Sequence, residues 1–222
     1  MVVRVSTGGF KKKSAIETTE LLNKVNIWDI ELSAGIHEHN YKQKLLELIG
    51  IGNNFAIHNY YPRPLNDFVL NLGSQKEDVL IRSRAHCREA IKLASDLNIS
   101  NYSVHAGFCI DPKPSSLGEN ISGYVVNSFN EVKNTFLKEI YELSTFASNH
   151  NVKLMVENNV TSRNTFERYK GEDILLMSNL QESIELIKEL PNEVGWLCDV
   201  AHLKVSAKSF GFNPLNLIEK HS

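Results

Sequence analysis

Two kinds of segment alternate along the chain. Short runs rich in β-branched and aliphatic residues, at 2–5, 27–32, 55–58, 102–105, 153–157 and 194–198, are separated by longer stretches in which apolar residues return every three or four positions. The longer stretches, roughly 14–24, 41–49, 76–97, 131–150 and 179–190, predict helices. Leu45, Leu48 and Ile49 fall on one helical face, and Val132, Phe136, Ile140, Leu143 and Ala147 on another. Such stripes are faces packed on a sheet and carry no function of their own. The short runs are apolar without alternation, the pattern of strands covered on both sides.

Strict βαβα alternation predicts a parallel sheet with helical crossovers. An open doubly wound sheet and a TIM-barrel type α/β fold both meet that description. Gly8-Gly9 is too short for a dinucleotide-binding loop, and polar residues follow several different strands, which favours the barrel with its shared mouth. A closed barrel takes eight βα units and this sequence supplies about six, with 214–220 starting the last helix. The expectation is an incomplete barrel forming a single domain over 1–222. Its first and sixth strands would be raw edges, so a homo-oligomer that covers them is expected.

Composition adds little to this. Hydrophobic residues make up 42% and the net charge is -2, values that argue against a nucleic-acid partner. Lys11-Lys12-Lys13, the one cationic run, reads as a solvated approach to the first helix. No apolar stretch approaches the ~20 residues that span a bilayer. No signal-peptide pattern opens the chain, and Cys87, Cys109 and Cys198 make an odd, unpaired set, so a reducing, cytoplasmic setting without membrane contact is expected.

The chemistry lies at the strand ends. Phe55-Ala56-Ile57-His58 and Tyr102-Ser103-Val104-His105 place imidazoles in matched positions on successive units, and Gly107 after the second allows close approach. Leu154-Met155-Val156-Glu157 ends an apolar strand in a carboxylate, whose burial needs a cation or hydrogen-bond donors. Asp199 and His202, three apart, face one way if the chain enters a helical turn there. Nitrogen and hard oxygen donors without a required thiolate suit Zn²⁺, Mn²⁺ or a similar divalent ion. Each residue also has a bland reading: a core histidine, a salt bridge, or a turn for Asn158 and Asn159. Glu31, after the second strand, either orders the mouth and meets a ligand or forms an ion pair.

The segments Val3-Arg4-Val5-Ser6-Thr7-Gly8, Ile30-Glu31-Leu32-Ser33, Ile57-His58-Asn59, Val104-His105-Ala106-Gly107, Val156-Glu157-Asn158-Asn159 and Cys198-Asp199-Val200-Ala201-His202-Leu203-Lys204 together resemble the xylose isomerase-like TIM barrel superfamily. That group includes sugar-phosphate isomerases and epimerases and apurinic/apyrimidinic endonucleases. The resemblance implies a divalent metal held by His58, His105, Glu157 and Asp199, with Glu157 and His202 catalytic. It implies substrate contacts from Glu31, Asn59, Asn158 and Lys204, and a substrate-lining loop over 204–210. In the nucleases the residue matching His202 is a further ligand; in the epimerases it touches substrate. A histidine after a seventh strand and a glutamate after an eighth have no positions in this sequence.

Three functions follow from the resemblance. The first is a metal-dependent sugar or sugar-phosphate isomerase or epimerase that moves a proton beside a polarised carbonyl. The second is an endonuclease-like phosphodiester hydrolase, to which the paired histidines fit but Arg63 and Lys204, too few for several phosphates, do not. The third is a non-catalytic sugar-binding remnant of the barrel.

Overall fold

The computed structural model describes residues 2–10, 12–116, 121 and 123–221; Lys11 of the cationic run lies outside them. Six strands form one parallel sheet in the order β1-β2-β3-β4-β5-β6: Val5–Ser6, Asp29–Leu32, Asn54–Ile57, Asn101–His105, Lys153–Glu157 and Gly195–Leu197. Every neighbour in the sheet is also the next strand in sequence, so each connection is a crossover of the kind the alternation predicts. Among the described residues β1 and β6 pair on one side only, and the sheet is a curved segment of a barrel rather than a closed one.

Helices α1 (Ala15–Asn23), α2 (Tyr41–Gly50), α3 (Glu77–Asp96), α4 (Phe129–Ser148), α6 (Leu180–Glu189) and α8 (Leu215–His221) occupy the predicted stretches to within a few residues. Their starts are written locally. Ser14 accepts from the Glu17 amide at 3.1 Å while the Glu17 carboxylate accepts from the Ser14 amide at 2.8 Å, a reciprocal cap that begins α1 directly after the lysine run. The sheet buries Tyr102, Val104, Leu154 and Val156 against Ile91, Phe136 and Ile140 of α3 and α4.

Two predicted elements change. The first strand is confined to Val5–Ser6, because Val2 and Val3 are 55% and 75% exposed and have no neighbouring strand to complete their backbone hydrogen bonds. The stretch 204–210 is part of helix α7 (Val200–Phe210), not a loop. Asp199 caps it by accepting from the His202 amide at 2.8 Å, and Gly211 ends it at φ 78°, a left-handed conformation that glycine adopts at little cost. A short helix, α5 (Arg163–Arg168), was not foreseen.

Candidate metal centre

Parallel pairing sets the site. His105 and Glu157 close β4 and β5 as register partners, so both side chains leave the sheet at the same rim. His58 is the first residue past β3, held by its amide donating to the Leu32 carbonyl at 2.9 Å. Asp199 and His202 arrive from the first turn of α7, beyond β6. The result is a ring of imidazoles around one carboxylate. Glu157 Oε2 lies 3.6 Å from His58 Nε2; Glu157 Oε1 lies 3.9 Å from His105 Nε2 and 3.6 Å from His202 Nδ1. Asp199 Oδ2 is 3.5 Å from the same His202 nitrogen. Ligand atoms of His58, His105 and Glu157 fall within 4.8 Å of one another, as do those of Glu157, Asp199 and His202.

Glu157 is 2% exposed, yet its Oε2 has no hydrogen-bond partner, and neither has the buried His105 Nδ1. Burial pushes the Glu157 carboxyl up, but His58 and the charges of His105 and His202 outweigh it and bring it below its ordinary value. His58 shows the converse: burial lowers it, and Glu157 more than restores it, with a net rise. His105 is pushed down to about 4, by burial first and by the neighbouring imidazoles, against the pull of Glu157. The set therefore offers a neutral imidazole beside an ionised carboxylate that has one unpartnered oxygen. Nitrogen and hard oxygen ligands in deprotonated form fit a divalent ion such as Zn²⁺ or Mn²⁺.

The remaining predicted residues divide. Glu31, on β2, is half-buried and close enough for its charge to raise His58. Asn59 accepts from the His105 amide at 3.2 Å and lines the chamber beside the centre. The Asn158 side chain is engaged within the protein: its amide nitrogen donates to the Asp199 carbonyl at 3.0 Å and its oxygen accepts from the Asp199 amide at 2.9 Å. It fixes the β6–α7 corner, and its backbone carbonyl meets His202 Nδ1 at 3.0 Å. Lys204 lies on the exposed side of α7 and does not line the chamber, a consequence of the helix replacing the expected loop.

Other residues that build the site left weaker marks in the sequence. Asn71 accepts from the Gly73 and Phe108 amides and donates to the carbonyls of Phe108 and Ile110, tying two loops together. Asn159, buried, donates to the carbonyls of Ala106 and Leu176 at 2.8 and 2.9 Å. Gly107 admits a loop rather than a ligand: a Cβ there would meet the Gly73 backbone nitrogen at 3.1 Å. Asparagines after apolar runs mark such loops, but only the long-range partner reveals what they hold.

Among solved structures the chain is similar to a D-tagatose 3-epimerase-like protein, at 20% identity and TM-score 0.65 over 94% of this chain and 68% of that one. It is similar to the D-psicose 3-epimerase with D-tagatose from Clostridium cellulolyticum H10, at 14% and 0.62 over 98% and 68%. An L-ribulose 3-epimerase matches at 14% and 0.65 over 91% and 62%. The chain thus spans about two thirds of the length of these relatives, and at such identities the likeness is one of fold. No curated protein matches it by sequence. The family model for the xylose isomerase-like TIM barrel matches residues 32–214, most of the chain, and the protein belongs to that family.

Proposed function

We propose that the protein is a metal-dependent sugar or sugar-phosphate isomerase or epimerase. The observation that carries this reading is Glu157: a carboxylate 2% exposed, with an unpartnered oxygen, ringed at 3.6–3.9 Å by three histidines at the mouth of a parallel sheet. His58, His105, Glu157 and Asp199 would hold the ion, which when bound supplies Lewis acidity toward a substrate carbonyl. Glu157 is ionised and desolvated, so it can take a proton from the carbon beside that carbonyl and return it. His202, on the chamber wall and anchored through Nδ1 to the Asn158 carbonyl, is the group placed to contact the substrate oxygens. Asn158 keeps Asp199 and His202 in register with Glu157 by holding both amide and carbonyl of residue 199. The substrate class is supported by the structural relatives, all three of which are described as sugar 3-epimerases or as like one.

Incubating the Mn²⁺- or Zn²⁺-loaded protein with ketoses in ²H₂O tests this reading. Incorporation of solvent deuterium at a carbon next to the carbonyl, lost in Glu157→Gln, is expected. Absence of exchange across ketohexoses, ketopentoses and their phosphates, with nicking of abasic duplex DNA instead, would overturn it. One observation favours that second, phosphodiester-cleaving reading: Glu157 belongs to both ligand trios, as a carboxylate bridging two ions would. Against it, the guanidinium nearest the mouth, Arg63, is tied to Asp67 and the Gly35 carbonyl and is not free for phosphate.

A further inference from the structure

The sheet is weakest along a line that runs through the metal centre. β2 and β3 share four register pairs and β4 and β5 share five, whereas β3 and β4 share one, Ile57–Tyr102. The centre straddles that line. His58 belongs to the β1–β3 side, where its amide donates to the Leu32 carbonyl at 2.9 Å. His105 and Glu157 belong to the other side as register partners, and Asp199 and His202 follow β6 on that side too. Regular pairing therefore fixes His105 relative to Glu157, but it does not fix His58 relative to either.

Two side-chain hydrogen bonds cross the line at this point. Successive amides along β4 point to opposite neighbours, and because the Ala106 amide donates to the Glu157 carbonyl of β5 at 3.1 Å, the His105 amide faces β3. That strand has already ended at Ile57, and the Asn59 side chain takes its place: Oδ1 accepts from the His105 amide at 3.2 Å. The Asn59 carbonyl in turn accepts from the Tyr102 hydroxyl at 2.7 Å. The residue next to His58 is thus held, through side chain and backbone alike, by the strand that carries His105. Tyr102 is fully buried, so a phenylalanine there would keep the packing and lose this bond together with the longer contact to Cys87 Sγ at 3.7 Å. Asn71 also crosses the line, but it joins loop to loop, reaching the Phe108 and Ile110 carbonyls beyond the rim.

Building on the metal-dependent reading, we infer that Asn59 and Tyr102 are positioning residues of the centre: they close the gap between β3 and β4 and so set the spacing of His58 and His105, whose ring centroids lie 5.8 Å apart. Neither supplies a ligand atom. Asn59 acts through the His105 backbone, and Tyr102 acts through Asn59. Ligand geometry then depends on a hydroxyl whose side chain leaves β4 on the face opposite the His105 ring.

Co²⁺ binding by the full chain tests this, with affinity from calorimetry and ligand geometry from the visible absorption of the bound ion. Tyr102→Phe and Asn59→Ala should each lower Co²⁺ affinity about 10-fold and shift the visible spectrum, as removal of groups that orient metal ligands does. In the metal-free protein, hydrogen exchange of the His105 amide should quicken at least about 10-fold in Asn59→Ala, while that of Ala106, bonded to β5, stays as it is. Arg84→Leu, which loosens α3 from α4 without touching the centre, controls for lost stability and should keep both affinity and spectrum. Cys87→Ala, which removes the other neighbour of the Tyr102 hydroxyl, should keep them too. Wild-type affinity and spectrum in either Tyr102→Phe or Asn59→Ala would overturn the inference alone. Equal losses in Arg84→Leu would also overturn it, because the effect would then be one of stability. Should Asn59→Ala not fold, Tyr102→Phe decides by itself. A wild type that binds no Co²⁺ removes the metal-dependent reading, and this inference with it.

Discussion

Two buried glutamates, one within helix α4 and one at the end of strand β5, meet the same physical problem differently. Glu139, in α4 and 1% exposed, is gripped by Arg84 of α3, whose Nε and Nη2 donate to its two oxygens at 2.7 and 2.5 Å. Glu157, 2% exposed, has no arginine or lysine partner among the described residues; three imidazoles stand near it at distances too long for good hydrogen bonds, and one oxygen is unpartnered. The first arrangement is complete as it stands and serves packing between helices. The second is complete only with a cation, because an ionised carboxylate taken out of water costs several kcal/mol unless it is compensated. Buried carboxylates become informative through what they lack.

A third carboxylate shows the remaining solution. Glu182 of α6 accepts from the Met177 amide at 2.7 Å, but its Oε1 is buried without a partner, and burial together with the nearby Asp173 charge pushes it up to about 8. It answers burial by keeping its proton. Glu139 is paired, Glu182 is neutral, and Glu157 is ionised and unpaired by any fixed cation.

The comparison can be broken at each of these positions. The largest metal-dependent effect is expected at the rim: saturating Mn²⁺ or Zn²⁺ should stabilise the wild type by about 2–3 kcal/mol at a hundredfold excess over its dissociation constant, and Glu157→Gln should abolish that gain in a thermal melt. Next, Arg84→Leu should cost about 2 kcal/mol, below the 3–5 of a fully buried pair because Arg84 is partly exposed, while the metal-induced gain stays intact. Loss of metal-induced stabilisation in Arg84→Leu would erase the distinction between the two glutamates.

A pH-dependent effect belongs to Glu182. Its folded value lies above the ordinary 4.5, so between about 4.5 and 8 the folded state holds the extra proton and stability falls as pH rises. Denaturant titrations should show a decline of up to about 5 kcal/mol across that window, most of it lost in Glu182→Gln. A slope unchanged by the substitution would mean that Glu182 does not keep its proton. The smallest effect is predicted for Asn158→Ala, which frees the β6–α7 corner: metal affinity should drop about tenfold while the folded state persists.

Much of this was legible before any coordinates. Short continuous apolar runs located all six strands and the 3.6-residue period six of the helices, and the recurrence of His58, His105 and Glu157 at strand ends pointed to one rim, since in a parallel sheet corresponding strand ends lie side by side. The helix 200–210 was foreseen only as a turn at 199–202, because the resemblance gave 204–210 as a loop; the Asp199 carboxylate that caps it accepts from the His202 amide and also faces the His202 ring. Strand residues at the edges were overdrawn because local propensity cannot tell whether a partner strand will be present, as Val2 and Val3 show. The chamber was invisible for another reason. Its walls come from irregular segments that are shaped by contacts such as Asn71 to Phe108 and Ile110, thirty-seven or more positions apart, and no local pattern encodes them.

The central claim is that Glu157 is left without a fixed cation because it serves a divalent ion. Equilibrium dialysis against Mn²⁺ and Zn²⁺, with metal content measured for the wild type, Glu157→Gln and Glu139→Gln side by side, tests it most directly. Tight retention in the wild type and in Glu139→Gln, with affinity lowered more than about 100-fold in Glu157→Gln, is the predicted result. Equal retention by Glu157→Gln, or none by the wild type, would contradict it.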